Sequence, residues 1–177
     1  MTIKLIVAVD NNFGIGYKNE LLFRVKEDLR RFRELTTGHF VVMGRKTYES
    51  LPKALPERIN VVITHNKSYK PKDPTVVVET DIKKIVSHYL NTGTQEKDLW
   101  VIGGAEIYKQ FLPYVDEIEL TIVHKDAEKV DAFFPIEEVL ANFYGTNSER
   151  IFNEKYDCKV TFATYRRSQE VWERARS

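Results

Sequence analysis

Short, continuous apolar runs punctuate the chain at Ile3–Val9, Phe40–Met43, Ile59–Thr64, Thr75–Val78 and Leu99–Ile102. Runs this short, with no polar alternation, are what strands covered on both faces require. Amphipathic helical patterns fall between them, at Lys26–Thr36, Arg45–Leu51, Ile82–Leu90 and Ala105–Leu112. Strands alternating with helices imply crossover connections and hence a largely parallel sheet. After Leu112 the pattern changes. Glu117–Val123 reads as a strand and Ile136–Leu140 as a short helical piece; Ile151–Asn153 and Cys158–Tyr165 read as two strands joined by the polar Glu154–Asp157 turn. Such a hairpin adds antiparallel strands. The expected fold is therefore α/β and three-layered, a mostly parallel central sheet with helices on both faces and an antiparallel C-terminal hairpin. One domain is expected over residues 1–167, burying roughly 70% of its unfolded surface. Residues 168–177 are expected to be a frayed tail, and the Arg166-Arg167 stretch to begin a solvated end.

Charge narrows the function. The chain carries 27 basic and 26 acidic side chains, a net charge of +1. With neither a basic field nor an acidic tail, no nucleic-acid or membrane partner is expected, while small anionic ligands need only a local cluster of cations. Cys158 is the only cysteine, so no intrachain disulfide can form, which suits a reducing compartment; it reads as an inert thiol rather than a nucleophile. His39, His65, His88 and His124 are scattered, and no metal site is expected. The apolar N-terminal run is interrupted by Lys4 and stopped by Asp10, too short for secretion or for crossing a bilayer. A cytoplasmic location is expected.

Several constellations could carry chemistry. On the helix beginning near Lys26, Val25, Leu29, Phe32, Leu35 and Thr36 share one face, with Glu27, Arg30, Arg33 and Glu34 away from it. Asp28 sits inside the apolar stripe. One reading makes it a first-turn carboxylate that complements the helix dipole. The other makes it a buried acid with a raised pKa that binds a cationic or amidine-like group. Ile102-Gly103-Gly104-Ala105-Glu106-Ile107-Tyr108 follows a buried strand and opens a helix, where paired glycines let the backbone approach a ligand; a tight turn without a ligand is the plainer reading. Phe13-Gly14-Ile15-Gly16-Tyr17 lacks the third glycine of a doubly wound dinucleotide fingerprint and reads as a mobile loop. Met43-Gly44-Arg45-Lys46-Thr47-Tyr48 places two cations at a strand end, and Thr64-His65-Asn66-Lys67 ends the next strand. Two such sites at strand C-termini suit a ligand of an open α/β sheet.

Taken together, Val7-Ala8-Val9-Asp10, Ile15-Gly16, Asn19-Glu20-Leu21 and Glu27-Asp28-Leu29 with Phe32 resemble the opening of the dihydrofolate reductase family. So do Val42–Ser50, Leu55-Pro56 with Arg58-Ile59-Asn60, Val101–Tyr108, Leu120-Thr121 and Asp131–Pro135, in the family's order. The resemblance covers roughly Leu5 to Pro135. It implies hydride transfer from NADPH to dihydrofolate, with antifolate-like small molecules as further ligands and a monomeric protein. Asp28 would hold the pteridine ring, assisted by the Thr121 hydroxyl, with Leu21 and Phe23 completing the catalytic set. Ala8, Phe32, Leu51, Leu55 and Ile102 would line the substrate pocket, and Arg58 would take a glutamate carboxylate. Ala8, Ile15 and Gly16 would border the nicotinamide. Gly44, Arg45, Lys46, Thr47, Thr64 and His65 would hold the phosphates and adenosine side. Gly103 and Gly104, which resemble the family's cis glycine–glycine peptide, would serve the cofactor's middle together with Ala105, Glu106, Ile107 and Tyr108.

The chain departs from the family pattern in three places. Leu22-Phe23 replaces Pro-Trp, keeping a hydrophobic wall and losing an indole N–H, so altered proton delivery or inhibitor binding is expected. Glu106 stands where some relatives carry a basic residue near the 2′-phosphate, so NADPH would lean on Arg45 and on His65 or Lys67. Val130 and Ala132 depart from the Gly-Asp-Thr run around Asp131, which puts a loop contact there in question. Two rival readings are a pyrimidine or pteridine reductase on the same fold and a non-catalytic nucleotide-binding module. Asp28 on the apolar face and Arg58 after Leu55-Pro56 favour the folate enzyme.

Overall fold

The computed structural model describes residues 2–91 and 96–168. The chain begins with β1 (Ile3–Val9), β2 (Gly14–Tyr17) and β3 (Glu20–Leu21), then α1 (Lys26–Thr36), β4 (Phe40–Gly44) and α2 (Arg45–Ser50). It continues through β5 (Ile59–Ile63), β6 (Val77–Glu79), α3 (Ile82–Asn91), β7 (Leu99–Gly103) and α4 (Ala105–Phe111). A 3-10 turn at Leu112–Tyr114 leads to β8 (Glu117–Val123), β9 (Ala132–Phe133), α5 (Ile136–Asn142), β10 (Phe143–Asn153) and β11 (Cys158–Arg167).

Among the described residues, eight strands form one sheet in the order β10-β11-β8-β1-β7-β4-β5-β6. The pairings of β1 with β7 and β8, of β4 with β5 and β7, and of β5 with β6 are parallel. β11 alone runs against the rest, antiparallel to both β8 and β10. This is the mostly parallel sheet with an antiparallel C-terminal pair that the apolar runs imply.

The residue alternation of each strand feeds two layers. Leu5, Val7 and Val9 of β1 join Val42, Val101, Ile107 and Phe111 in the layer that includes α3 and α4. Ile6 turns the other way, into a layer with Val41, Met43, Val62, Trp100 and Tyr48 of α2, against which Phe32 and Leu35 of α1 pack. Each fully buried large side chain, Phe111 and Leu5 among them, contributes about 1.5–3 kcal/mol. A third cluster, Val25, Val123, Cys158, Val160 and Phe162, lies beyond the first turn of α1. The Cys158 thiol is pushed up by burial, as an inert thiol requires.

Three expectations need correction. The Phe13–Tyr17 segment is ordered as β2, not a free loop, in a small antiparallel sheet of order β3-β2-β9. β2 and β3 are joined by Lys18 and Asn19, both at positive φ (48° and 63°), as a tight hairpin turn requires. Arg166 and Arg167 are likewise not a solvated end, because they close β11. The Arg167 Nε–H donates to the Val115 carbonyl at 2.7 Å, and its guanidinium stacks 4.6 Å from the Phe143 ring. Lastly, β10 begins eight residues before the Ile151 start that periodicity suggests. Phe143 is buried, but residues 144–150 are exposed, and hydrogen bonds to β11 hold them rather than any buried stripe. The remainder of the proposed tail, 169–177, lies outside the described residues.

Candidate active site

A cleft of about 870 Å³ opens at the C-terminal ends of β1, β4, β5 and β7. That is where an open α/β sheet binds its ligands, because the strand order there parts neighbouring crossovers. Its floor is backbone from Ile6–Ala8, Gly44, Ile63–Thr64 and Ile102–Gly103. α1 forms one wall; the entries to α2 and α4 form the other.

α1 starts at Lys26 without a side-chain cap, its first-turn Glu27 and Asp28 complementing the helix dipole. Asp28 does more than that, since its carboxylate lines the cleft and accepts the Thr121 hydroxyl of β8 at 2.6 Å. Burial raises its pKa, opposed by the Thr121 hydrogen bond and by the positive charge of Arg31. The structure thus gives Asp28 the cleft-facing position and raised pKa of the second reading, beyond a first-turn dipole partner. On the same helix Leu29 is 40% exposed although it belongs to the apolar stripe, because it faces the cleft rather than the core. Tyr108 of α4 lies deep beside the cleft, its hydroxyl donating to the Ile6 carbonyl at 2.8 Å. Burial, then the nearby Asp28 charge, raises its pKa, and it stays neutral.

The glycine pair Gly103–Gly104 is a cis peptide, and Gly103 has φ +122°. A Cβ at Gly103 would lie 3.2 Å from the Tyr108 hydroxyl, and one at Gly44 would lie 3.2 Å from Ile107 Cγ1. The positive φ at Gly103 favours a residue without a side chain, whereas at Gly44 the Ile107 side chain would have to give by a few tenths of an ångström. Arg45 pairs with Glu49 at 3.0 Å, but both are substantially exposed, and such a pair is weak enough to leave Arg45 open to another anion. On the opposite rim Arg58 Nε–H donates to the Pro56 carbonyl at 2.8 Å and its terminal N–H to Thr36 Oγ1 at 3.1 Å, which fixes the plane of the guanidinium. Burial, then repulsion from Arg33, holds its pKa below the usual value. Arg33, read from spacing as solvent-facing, also lines the cleft.

The small sheet borders the opening through Ile15, Gly16 and Leu21. Asp10, 1% exposed, ties its base by accepting the N–H groups of Asn12, Gly14 and Ala127 at 2.9, 2.8 and 3.1 Å. Asp131 N–H donates to the Gly16 carbonyl at 3.0 Å and its carboxylate accepts the Lys18 N–H at 2.9 Å. The loop contact therefore persists despite Val130 and Ala132, because backbone and the Asp131 side chain make it.

Ala8, Phe32, Leu51, Leu55, Thr47, Lys46, His65, Ala105, Glu106 and Ile107 all line the same cleft. Two residues of the expected set do not. Thr121, 2% exposed, lies beneath Asp28 and reaches the cleft only through its hydrogen bond to that carboxylate. Phe23 is turned away into the third cluster, edge-on to Tyr156 at 5.1 Å, because Arg24 N–H is bonded to the Tyr156 hydroxyl and swings the chain toward the C-terminal hairpin. Lys67 also stays off the cleft, leaving Arg45, Lys46 and His65 as its basic side chains on that rim.

The family model of dihydrofolate reductase matches residues 2–167. The chain belongs to the dihydrofolate reductase family. Curated dihydrofolate reductases resemble it across most of their length. That of Staphylococcus haemolyticus is 33% identical over 136 residues, 77% of this chain and 78% of the relative. That of Bacillus subtilis is 37% identical over 133 residues, 75% of each. A solved dihydrofolate reductase from Enterococcus faecalis, complexed with NADP(H) and RAB-propyl, superposes with a TM-score of 0.85 at 26% identity, covering 95% of this chain and 97% of the other.

The placement of Phe23 changes what its substitution should do. Phe23→Ala is expected to cost roughly 1–3 kcal/mol of stability, seen as a lower urea midpoint, because it removes a half-buried ring. The KM for dihydrofolate should stay within about twofold of native, since the ring does not line the cleft.

Proposed function

We propose that this chain reduces 7,8-dihydrofolate to tetrahydrofolate with NADPH, a step of one-carbon metabolism. The observation that carries the reading is one half-buried carboxylate, Asp28, bonded to Thr121 and facing a cleft it shares with Arg58 and the paired glycines. NADPH, when bound, supplies the hydride. The residues fit it: the glycine backbone at Gly44 and Gly103–Gly104 admits close approach, while Arg45, Lys46, Thr47, Thr64 and His65 offer cations and hydroxyls to its phosphates. Glu106 lines the same rim and tempers the strictness for a 2′-phosphate without removing those cations.

Asp28 holds the pteridine through a ring nitrogen and the 2-amino group and favours protonation of the substrate nitrogen, directly or through water. Thr121 fixes the rotamer of that carboxylate. Ala8, Phe32, Leu51, Leu55 and Ile102 form the apolar walls, and Leu21 with Ile15 and Gly16 borders the mouth, keeping water from the reacting edge. Arg58 offers its remaining N–H donors to the glutamate carboxylate of the substrate. Antifolate-like molecules compete for the same cleft.

The decisive assay follows NADPH absorbance on addition of dihydrofolate, with NADH as a parallel arm; no oxidation in either arm refutes the activity. Arg58→Leu is expected to weaken dihydrofolate binding at least tenfold while sparing NADPH, because one charge-assisted contact contributes about 1.5–3 kcal/mol. Equal losses for both ligands in fluorescence titrations would place Arg58 elsewhere. Residues 1–167 act as one domain, supported by a central sheet that joins β1 near one end of the chain to β10 and β11 near the other, and the chain acts as a monomer. The near-neutral charge and the single buried cysteine support a cytoplasmic protein without nucleic-acid partners. Among the described residues no helix is long and apolar enough to cross a membrane.

A further inference from the structure

On the face of β8 that α1 covers, Glu119 stands among apolar neighbours and is only 7% exposed. Its carboxylate is claimed from two sides: the Arg31 guanidinium of α1 forms an ion pair with it, and the Thr164 hydroxyl of β11 donates to it at 3.1 Å. The same guanidinium lies 5.3 Å from the Phe162 ring centre, so it is held in plane as well as in charge. Thr121, two residues along β8, points to the same face and bonds Asp28. Asp28 and Arg31 are three apart on α1 and therefore neighbours on its surface. Two adjacent polar pairs, Asp28–Thr121 and Arg31–Glu119, thus fasten one turn of α1 to one strand. Neither Arg31 nor Glu119 lines the cleft. An ion pair in such a layer contributes little stability beyond an apolar pair of similar volume, so stability alone does not account for it.

We propose that Arg31, anchored by Glu119, is the positioning residue for the Asp28 carboxylate, fixing the helical turn that bears the acid and holding a positive charge behind it. The proposal rests on Asp28 acting as the ring-side acid. Among the groups around Asp28, Arg31 on its own helix carries the charge, Tyr108 from α4 stays neutral, and Thr121 from β8 contributes a hydroxyl. Glu27, on the same helix, is turned to the Asn153 side chain at 3.3 Å. Arg31 draws the Asp28 pKa down against the burial that raises it, and on this proposal its ion pair with Glu119 tempers that pull.

The test is a carbon-detected NMR titration of the Asp28 carboxyl in the ligand-free full chain, paired with the pH dependence of single-turnover hydride transfer. Arg31→Met is expected to move the Asp28 midpoint up by about half a pH unit or more, and Glu119→Gln to move it down, since the isosteric amide keeps its bonds but frees the Arg31 charge. Arg31→Lys should return the midpoint toward native. The hydride-transfer profile should move with the same signs, because a cation disfavours protonation of the acid and of the substrate nitrogen alike. Midpoints within about 0.2 units of native in both variants, or shifts of one sign in both, overturn the proposal. Should Arg31→Met not fold, Glu119→Gln decides alone: a downward shift supports the proposal, and no shift or an upward one ends it. Hydride transfer that is indifferent to Asp28→Asn removes the underlying assignment as well, whereas a native Asp28 dependence with unmoved variants removes this inference only.

Discussion

Asp28→Asn is expected to lower hydride transfer at neutral pH by about a hundredfold to ten-thousandfold while making the folded protein more stable. The loss follows from replacing the group that favours protonation of the substrate nitrogen and pairs with the ring. The gain follows from linkage. Burial raises the Asp28 pKa above its ordinary value, so the folded state disfavours the ionised form. That cost is full at pH values above the raised pKa and vanishes below the ordinary carboxylate range, where both states are protonated. The asparagine never carries the charge, and its carbonyl still accepts the Thr121 hydroxyl. The variant should therefore melt higher than native at pH 7, with the difference shrinking as pH falls through the raised pKa. Calorimetry across that window, beside single-turnover kinetics, checks both halves. Near-normal turnover would remove Asp28 from the chemistry, and an unchanged melting temperature would mean that the carboxylate is better solvated than its position suggests.

Gly103→Ala should cost both stability and cofactor affinity. The glycine holds φ +122°, a conformation in which a side chain is strained at about 1–3 kcal/mol. The added methyl would also stand 3.2 Å from the Tyr108 hydroxyl, and relieving that contact disturbs the buried bond from Tyr108 to the Ile6 carbonyl at the cleft floor. NADPH affinity, read by fluorescence quenching, is expected to fall at least tenfold, about 1.4 kcal/mol. Gly104→Ala makes the useful comparison. Its φ is −85°, and a Cβ there meets only Thr47 Oγ1 at 3.5 Å, so its cost in urea denaturation should be smaller. Equal losses of stability at the two positions would show that the contact with Tyr108 does not decide the effect.

Much of the site was legible because the sequence carries it in local runs. Gly103-Gly104 follows a buried strand, Arg45 and Lys46 open a helix, and Asp28 breaks an apolar stripe; each signal lies within one helical turn or one strand–helix junction. Arg31 and Glu119 left no such trace. They are 88 residues apart, neither carries a local signal, and only the packing of α1 on β8 turns them into a half-buried pair. Phe23 failed for a related reason: its neighbours in sequence line the cleft, but a hydrogen bond to Tyr156, 132 residues away from Arg24, carries the ring elsewhere. The small sheet of β2, β3 and β9 was missed because short strands held by backbone hydrogen bonds and the Asp10 and Asp131 carboxylates have no hydrophobic period to read.

By itself the sequence determined the layered α/β class and the boundaries of β1, α1 and β8, and it marked Asp28, the glycine pair and the basic rim as candidates. These depend on periodicity, on glycine at special backbone positions, and on charges at helix starts, all of them local physics. The tertiary structure alone decided that Asp28 faces a cavity with Thr121 behind it, that Arg33 reaches the cleft while Phe23 does not, and that Arg31 is locked to Glu119. Those outcomes depend on how strands distant in sequence lie side by side, and burial and pairing become fixed only when the sheet is assembled.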